Sequence, residues 1–409
     1  MAHIKPFKAV LPSPDKVALV SCRNYDDYSA AELAAWLNFN PYSFLHVINP
    51  AFSNVQKTSL EKRFKGVALK YQDFKSEKII VKEKNPVYFV YEIETKTNSF
   101  TGIIAGTSIE DYHNNIIKKH EDTLSYRVEV FKDYLHQTGF NTEPVLITYP
   151  DNESIQAWII NQKKTKPLYE FATTNKEKHQ LWCIHNQKDI EWLTNHFKTI
   201  PSLYIADGHH RAASTALLFK ENKHLKNENL NYFMSFLIPE NSVKIYEYNR
   251  IIKDLNGHTK ENFFKKIEEY FIVKRKDQEL WKPQDKFEFG MYLDGNFYAL
   301  FYRFSEDKNN PENKIFKNLD AQILYDTILH PILGIKDLRN DERIDYISGK
   351  QPITAIKLVV DEGEFEVGFM LYPTNIQEIK AFADHNLIMP PKSTYIEPKF
   401  RSGLVVYEL

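Results

Sequence analysis

Leu203-Tyr204-Ile205-Ala206 is a short apolar run, Asp207-Gly208-His209-His210-Arg211 breaks it, and Ala212–Lys220 is strongly helix-forming. That order predicts a buried strand, a tight turn and a helix start. A strand of four residues is too short to stand alone, and the apolar face of the helix needs a sheet to cover it. Gly208 supplies the backbone freedom that a sharp strand-to-helix turn requires. The expected fold class is α/β (α+β).

The break itself has the chemistry of an anion site. The first turn of a helix presents backbone N–H groups with no intrahelical acceptor and a partial positive charge. Arg211 would lie in that turn, where a cation opposes the helix dipole unless an anion is present. Its planar fork can hold two phosphate oxygens at once. Asp207, His209 and His210 add acid–base or metal-positioning groups beside it. Each residue alone has a plain alternative: Asp207 as a helix cap, the histidines as surface groups above a salt-bridged Arg211. Taken together after a buried strand, they favour a site. Adjacent histidines point in different directions on a helix, so they are a poor pair of ligands for one zinc.

Around this motif, Ser29-Ala30-Ala31-Glu32 reads as a capping box opening a helix over Ser29–Leu37, and Asn40-Pro41 ends it. Ser43–Ile48 reads as a buried strand. Val87–Ile93 and Ser99–Ala105 form a hairpin about a polar turn at Thr95–Asn98. Ser108-Ile109-Glu110-Asp111 opens a further helix expected to run to His120-Glu121. Gln162–Pro167 reads as an exposed loop, Tyr232–Ile238 and Gly403–Leu409 as strands, and Ser305–Asn318 as a polar loop. The expected division is 1–240, carrying the phosphate-binding catalytic region, and 241–409, a C-terminal α/β region contributing to the site.

Composition narrows the function. Lys+Arg total 53 against Asp+Glu 54, a net charge of −1, which lacks the cation excess of a non-specific nucleic-acid binder. A small-molecule partner is expected, with nucleic acid disfavoured. Two cysteines, Cys22 and Cys183, form no Cys-x-x-Cys pair, so reduced thiols are expected rather than a disulfide framework. The N-terminus lacks a signal-peptide pattern and no stretch has the length of a membrane span, so a cytoplasmic address and no membrane partner are expected. No P-loop pattern and no strand followed by Gly-x-Gly-x-x-Gly occurs.

Over nearly its whole length the sequence resembles a widespread bacterial family catalogued as a domain of unknown function, family 1015. The resemblance is carried by Ile4–Ala9, Asn40–His46, Glu110-Asp111-Tyr112, Lys119–Thr123, Ala206–Arg211, Asn249-Arg250, Ile344–Gly349 and Met389–Lys399. One segment departs: Arg23-Asn24-Tyr25-Asp26 stands where Pro-Pro-Tyr-Asp is expected. The Asp-Gly-His-His-Arg segment also looks like the signature of the ParB/sulfiredoxin superfamily. Loops of that kind bind nucleotide phosphates in a CTP-binding partition protein, an ATP-using sulfinic-acid reductase and a kinase of free serine. The last is closest in motif.

The resemblance implies a ParB/sulfiredoxin-like mixed-sheet core with added N- and C-terminal α/β elements. It also implies a magnesium-assisted kinase or phosphotransferase acting on free L-serine or O-phosphoserine, with pyrophosphate, ADP or ATP as phosphate donor. Members are often encoded beside serine-biosynthesis enzymes, which points the same way. In that reading Gly208, His209, His210 and Arg211 bind phosphate, and Asp207 holds Mg²⁺ or takes the hydroxyl proton. Glu121 is the candidate general base, with His120 beside it for substrate. The competing role for Lys118, Lys119 and His120 is to complement a helix C-terminus. Lys392, Ser393 and Thr394 after two stiffening prolines form a second phosphate cradle, with Lys399 and Arg401 adding charge. Arg250 is placed for the substrate carboxylate, or in a buried ion pair. The rival functions are a phosphoserine phosphatase on the same site, a ParB-like nucleotide- and DNA-binding regulator without catalysis, a sulfiredoxin-like reductase and a ligand sensor. The motif lacks the cysteine a reductase would need.

Overall fold

The computed structural model describes residues 1–49, 58–303 and 315–409. Most of the polar stretch at Ser305–Asn318 lies outside the described residues. Packing divides the chain into two compact units. The first comprises Met1–Lys119, Thr123–Val243 and Pro398–Leu409, and the second His120–Asp122 and Lys244–Glu397.

The first unit is built on a mixed sheet of β1 (Ile4–Lys5), β2 (Tyr88–Glu94), β3 (Ser99–Ser108), β4 (Ile117–Lys118), β5 (Val145–Tyr149), β6 (Tyr169–Ala172), β7 (Lys178–Ile184), β8 (Leu203–Asp207) and β9 (Tyr232–Pro239). The order among the described residues is β4-β8-β5-β9-β3-β2-β7-β6, with β1 added on β3. Pairs β4–β8 and β5–β9 are parallel and the other pairs antiparallel. The architecture is therefore α+β with a mixed sheet. Hairpin β2–β3 aligns Glu94 with Ser99 across the expected polar turn. The strands toward the middle read as nearly continuous apolar runs because both faces are covered. Ile147, Leu203, Ile205 and Leu237 lie in one core cluster, all with no exposure. Burying each contributes about 1.5–3 kcal/mol.

Helices α1 (Ala30–Phe39), α2 (Leu45–Ile48), α3 (Leu60–Ser76), α4 (Ile109–His113), α5 (Ser125–Thr138), α6 (Glu153–Gln162), α7 (Gln187–Phe197) and α8 (His209–Asn222) accompany the sheet. Helix α1 starts at the expected capping box, in which the Glu32 N–H meets Ser29 Oγ and Glu32 accepts from the Ser29 N–H. Helices α5 and α8 pack together, and Ser214 Oγ on α8 donates to Val128 O at 3.0 Å.

Two expectations are corrected here. Ser43–Ile48 is not a strand: Ser43 Oγ accepts from Leu45 N–H and the chain makes the helical turn α2. A buried apolar run this short has no periodicity to separate the two states. The helix opened by Ser108 does not reach His120-Glu121. It ends at His113, where Asn115 takes a left-handed φ of 56° and the Ile116 N–H reaches back to Asp111 O. Asparagine tolerates that conformation and closes the helix as glycine commonly does. Ile117-Lys118 then pairs with β8. Lys119–Thr123 is thus a loop after an edge strand, and the alternative role of its basic residues at a helix end disappears with the helix.

The second unit carries a sheet of β10 (Tyr248–Ile252), β11 (Phe271–Asp277), β12 (Glu288–Leu293), β13 (Asn296–Tyr302), β14 (Ile344–Ser348) and β15 (Val367–Met370), in the antiparallel order β11-β13-β12-β15-β10-β14. Helix α9 (Thr354–Asp361) packs its Ile356 and Val360 into the cluster with Ile251, Tyr292 and Met370 on one face. No helix among the described residues is long and apolar enough to cross a membrane.

Candidate functional site

Strand β8 ends in a defect. Ile205 pairs with Ile147 and Asp207 with Leu146, so Ala206 is an extra residue in the register. Such a bulge turns the strand end and re-aims the side chains beyond it. Gly208 follows at φ 97° and ψ 28°, and α8 begins at His209. A Cβ on Gly208 would lie 3.0 Å from Arg211 Nε and 3.3 Å from its Cζ. Backbone conformation and the nearness of the Arg211 fork thus both call for glycine here.

Asp207 closes the turn. Its Oδ1 accepts from the Gly208 N–H at 3.0 Å, and its Oδ2 from Lys399 Nζ at 2.9 Å, with Arg211 Nη2 at 3.7 Å. Arg211 Nη1 donates to Glu143 Oε2 at 3.0 Å. Glu143 is held by three more segments: Asn24 Nδ2 donates to Oε2 at 3.2 Å, Ser402 Oγ to Oε1 at 2.5 Å, and its own N–H meets Asn141 Oδ1. Arg401 lies one residue before Ser402 and donates to Ser21 Oγ and, at 2.6 Å, to Ser21 O. The C-terminal segment thereby delivers Lys399, Arg401 and Ser402 to the region of the β8–α8 turn.

The two histidines separate as adjacent helix positions require. His209 faces inward and is only 3% exposed. His210 Nε2 accepts from the Leu124 N–H at 3.1 Å, so that ring is neutral with its proton on Nδ1. Cys22, two residues before Asn24, hydrogen-bonds through Sγ to Ser402 O, and burial pushes its thiol up to about 12. Burial raises the Cys183 thiol to about 12 as well. Neither is poised as a nucleophile.

The structure thus gathers Asp207, Gly208, His210, Arg211 and Lys399 in the first unit. His209 and Arg401 also lie in the first unit, and the remaining candidates belong to the second. His120 is fully buried, and its carbonyl accepts from the Met389 N–H. Glu121 is partly exposed in the loop after β4, and Asp122 pairs with Arg339 at 3.3 Å. Lys392 is exposed with φ 57°, Ser393 Oγ donates to Pro390 O at 2.6 Å, and Thr394 is 9% exposed. Arg250 stands in the middle of β10, and its hydrogen-bond partners are backbone carbonyls. The expected alternative of a buried ion pair is not what holds it.

Glu143 was invisible to the sequence reading: an acid in a short loop before an apolar strand has no local mark. Asn24 falls in the segment that departs from the family pattern, and that departure was its one signal. For Mg²⁺, the described residues gather no group of three or more histidine, cysteine or acidic side chains. Asp207 already faces two cations, so a protein-built Mg²⁺ cage does not fit.

A profile for the family described as Protein of unknown function (DUF1015) matches residues 4–322. The chain belongs to that family. No curated protein matches this DUF1015 chain. Among solved structures, free serine kinase in complex with AMP is 16% identical, covering 75% of this chain and 91% of the other at a TM-score of 0.35. C-terminally truncated SbnI from Staphylococcus aureus is 12% identical, covering 72% and 82% at 0.35. A conserved hypothetical protein from Pyrococcus furiosus is 14% identical, covering 73% and 91% at 0.33. Likeness of this degree says nothing about the chemistry of the DUF1015 chain.

Proposed function

We propose that this protein transfers a phosphoryl group between a phosphate donor (pyrophosphate, ADP or ATP) and the hydroxyl of free L-serine. The observation that carries the proposal is the convergence, at one bulged strand end, of left-handed Gly208, the start of α8, Arg211 and Lys399. Helix N–H groups and two nearby cations suit a polyphosphate. Serine as acceptor is supported by the resemblance of Asp207–Arg211 to the free-serine-kinase signature.

In this reading the donor phosphates take Lys399 from Asp207 and share Arg211 with Glu143. Phosphoryl transfer then needs in-line placement and neutralised charge more than covalent help from the protein. The serine oxygen bonds to the terminal phosphorus, the bond to the leaving phosphate oxygen breaks, and the hydroxyl proton passes to a carboxylate. Asp207 is the proposed base.

Phosphorus NMR tests the proposal. Purified protein with Mg²⁺ and L-serine receives pyrophosphate, ADP or ATP in separate tubes, beside Asp207→Asn. A phosphoserine resonance from one donor, lost in Asp207→Asn, is expected and names the donor. No phosphoserine from any donor, together with no turnover of added phosphoserine, refutes serine as the substrate.

A further inference from the structure

Arg250 is among the largest fully buried side chains among the described residues, at 1% exposure. It projects from β10 between Tyr346 of β14 and Phe369 of β15, its partners across the sheet. Nη1 donates to Tyr248 O and Nη2 to Lys392 O at 3.2 Å. Nε is buried with no acceptor, and among the described residues no carboxylate pairs with the guanidinium. The Tyr346 ring also faces it, with its centroid 5.7 Å from Cζ.

An arginine cannot shed its proton to escape burial. Five N–H donors against two carbonyls, with no counter-ion, is an expensive arrangement for a protein that only needs to fold. The neighbouring turn is strained as well. Lys392 holds a left-handed φ of 57° without being glycine, turning its carbonyl to Arg250 while its Nζ lies 4.9 Å from the Tyr248 ring centroid. Unpaired charge and backbone strain at the same place mark a ligand-binding corner.

We propose that the second unit binds a small molecule through its carboxylate, with the Arg250 guanidinium as the receiving group and exposed Lys392 as the second cation. A monoanion balances the single buried charge, and two coplanar oxygens match the planar fork. A phosphate dianion suits the corner less, because Ser393 Oγ is already committed to Pro390 O. The inference does not rest on the phosphoryl-transfer reading, and its test needs no turnover.

The test is thermal melting and titration calorimetry on the full chain with sodium acetate, L-serine or inorganic phosphate. The variants are Arg250→Met, Arg250→Lys, Lys392→Ala and, in the other unit, Arg211→Ala. A saturating carboxylate is expected to raise the melting temperature of wild type and Arg211→Ala by about 5 °C. Arg250→Met is expected to melt within about 2 °C of wild type in buffer, since it removes an uncompensated buried charge, and to lose the carboxylate shift. Lys392→Ala should weaken binding about 3–10-fold and Arg250→Lys at least about 10-fold, because lysine keeps the charge without the fork. No carboxylate shift in wild type, a shift that persists in Arg250→Met, or unchanged affinity in Arg250→Lys overturns the proposal. An Arg250-dependent shift with phosphate alone overturns the carboxylate assignment. Arg250→Lys decides the matter if the methionine variant does not fold.

Discussion

Gly208→Ala separates what the β8–α8 turn does for folding from what it does for binding. Alanine at a left-handed φ of 97° carries about 1–2 kcal/mol of backbone strain. The new methyl would also lie 3.0–3.3 Å from the Arg211 side chain, the flexible part of which can move. Steric contact therefore adds little to stability, and the expected loss stays near 1–2 kcal/mol. For a unit of this size that lowers the melting temperature by about 2–4 °C per kcal/mol. Binding pays separately. Moving the fork costs a charge-assisted hydrogen bond to phosphate, about 1.5–3 kcal/mol, so pyrophosphate affinity should fall about 10–100-fold. The assay is calorimetric titration of pyrophosphate beside thermal melting, repeated with Arg211→Ala as background. In that background the stability loss should persist while the extra binding loss disappears, a double-mutant coupling of contacting residues. A loss below about 0.3 kcal/mol, or equal binding losses in both backgrounds, refutes the link drawn between Gly208 and Arg211.

Lys399→Ala should change stability by less than about 1 kcal/mol, since its pair with Asp207 is substantially exposed, yet weaken pyrophosphate binding and flatten its salt dependence in calorimetry. Asp320 is 5% exposed, accepts from the Phe287 N–H, and is raised to about 7 by burial. A carboxyl raised in the native state binds its proton while the unfolded chain has lost it. Stability of the second unit should therefore fall as pH rises from about 4 to 7, at up to about 1.4 kcal/mol per unit, and level off above. Melting of wild type and Asp320→Asn across that range checks this, and an unchanged slope in the variant counts against it. Ser29→Ala removes one half of a closed capping box and should cost about 1 kcal/mol in a denaturant titration.

What was legible in the sequence was local. The Ser29 box, the hairpin about Thr95–Asn98 and the strand–glycine–helix unit at Leu203–Lys220 each rest on interactions a few residues apart, and each formed. What failed lay where two local outcomes have nearly equal energy. Ser43–Ile48 is apolar enough to be buried as strand or helix. The helix from Ser108 had no apolar signal to end it, and the stop came from Asn115 in the left-handed region. The long-range part of the candidate site was not legible at all. Asn24, Glu143 and Ser402 meet only because the first unit pairs its terminal segment with residues near Cys22 and packs both beside the β8 end.

That long-range part changes how Arg211 bears on function. From the sequence, a cation in the first turn of a helix opposes the dipole, and a bound anion is the natural remedy. The folded chain supplies its own remedy: Glu143 at 3.0 Å and Asp207 at 3.7 Å neutralise Arg211 without any ligand. The broken helix rule therefore does not by itself require a phosphate. What still needs a reason is the placement of the acids. Asp207 faces both Lys399 and Arg211, and Glu143 is anchored from Asn24 and Ser402 so that its second oxygen meets Arg211. Arg211 and Glu143 are about 19% and 18% exposed, whereas the Asp207 and Lys399 side chains remain about 35% and 41% exposed, where an ion pair contributes little to stability. Cations held by acids that solvent and a more highly charged competitor can reach are arranged for exchange. On the proposed function, a polyphosphate, carrying more charge than either carboxylate, is that competitor.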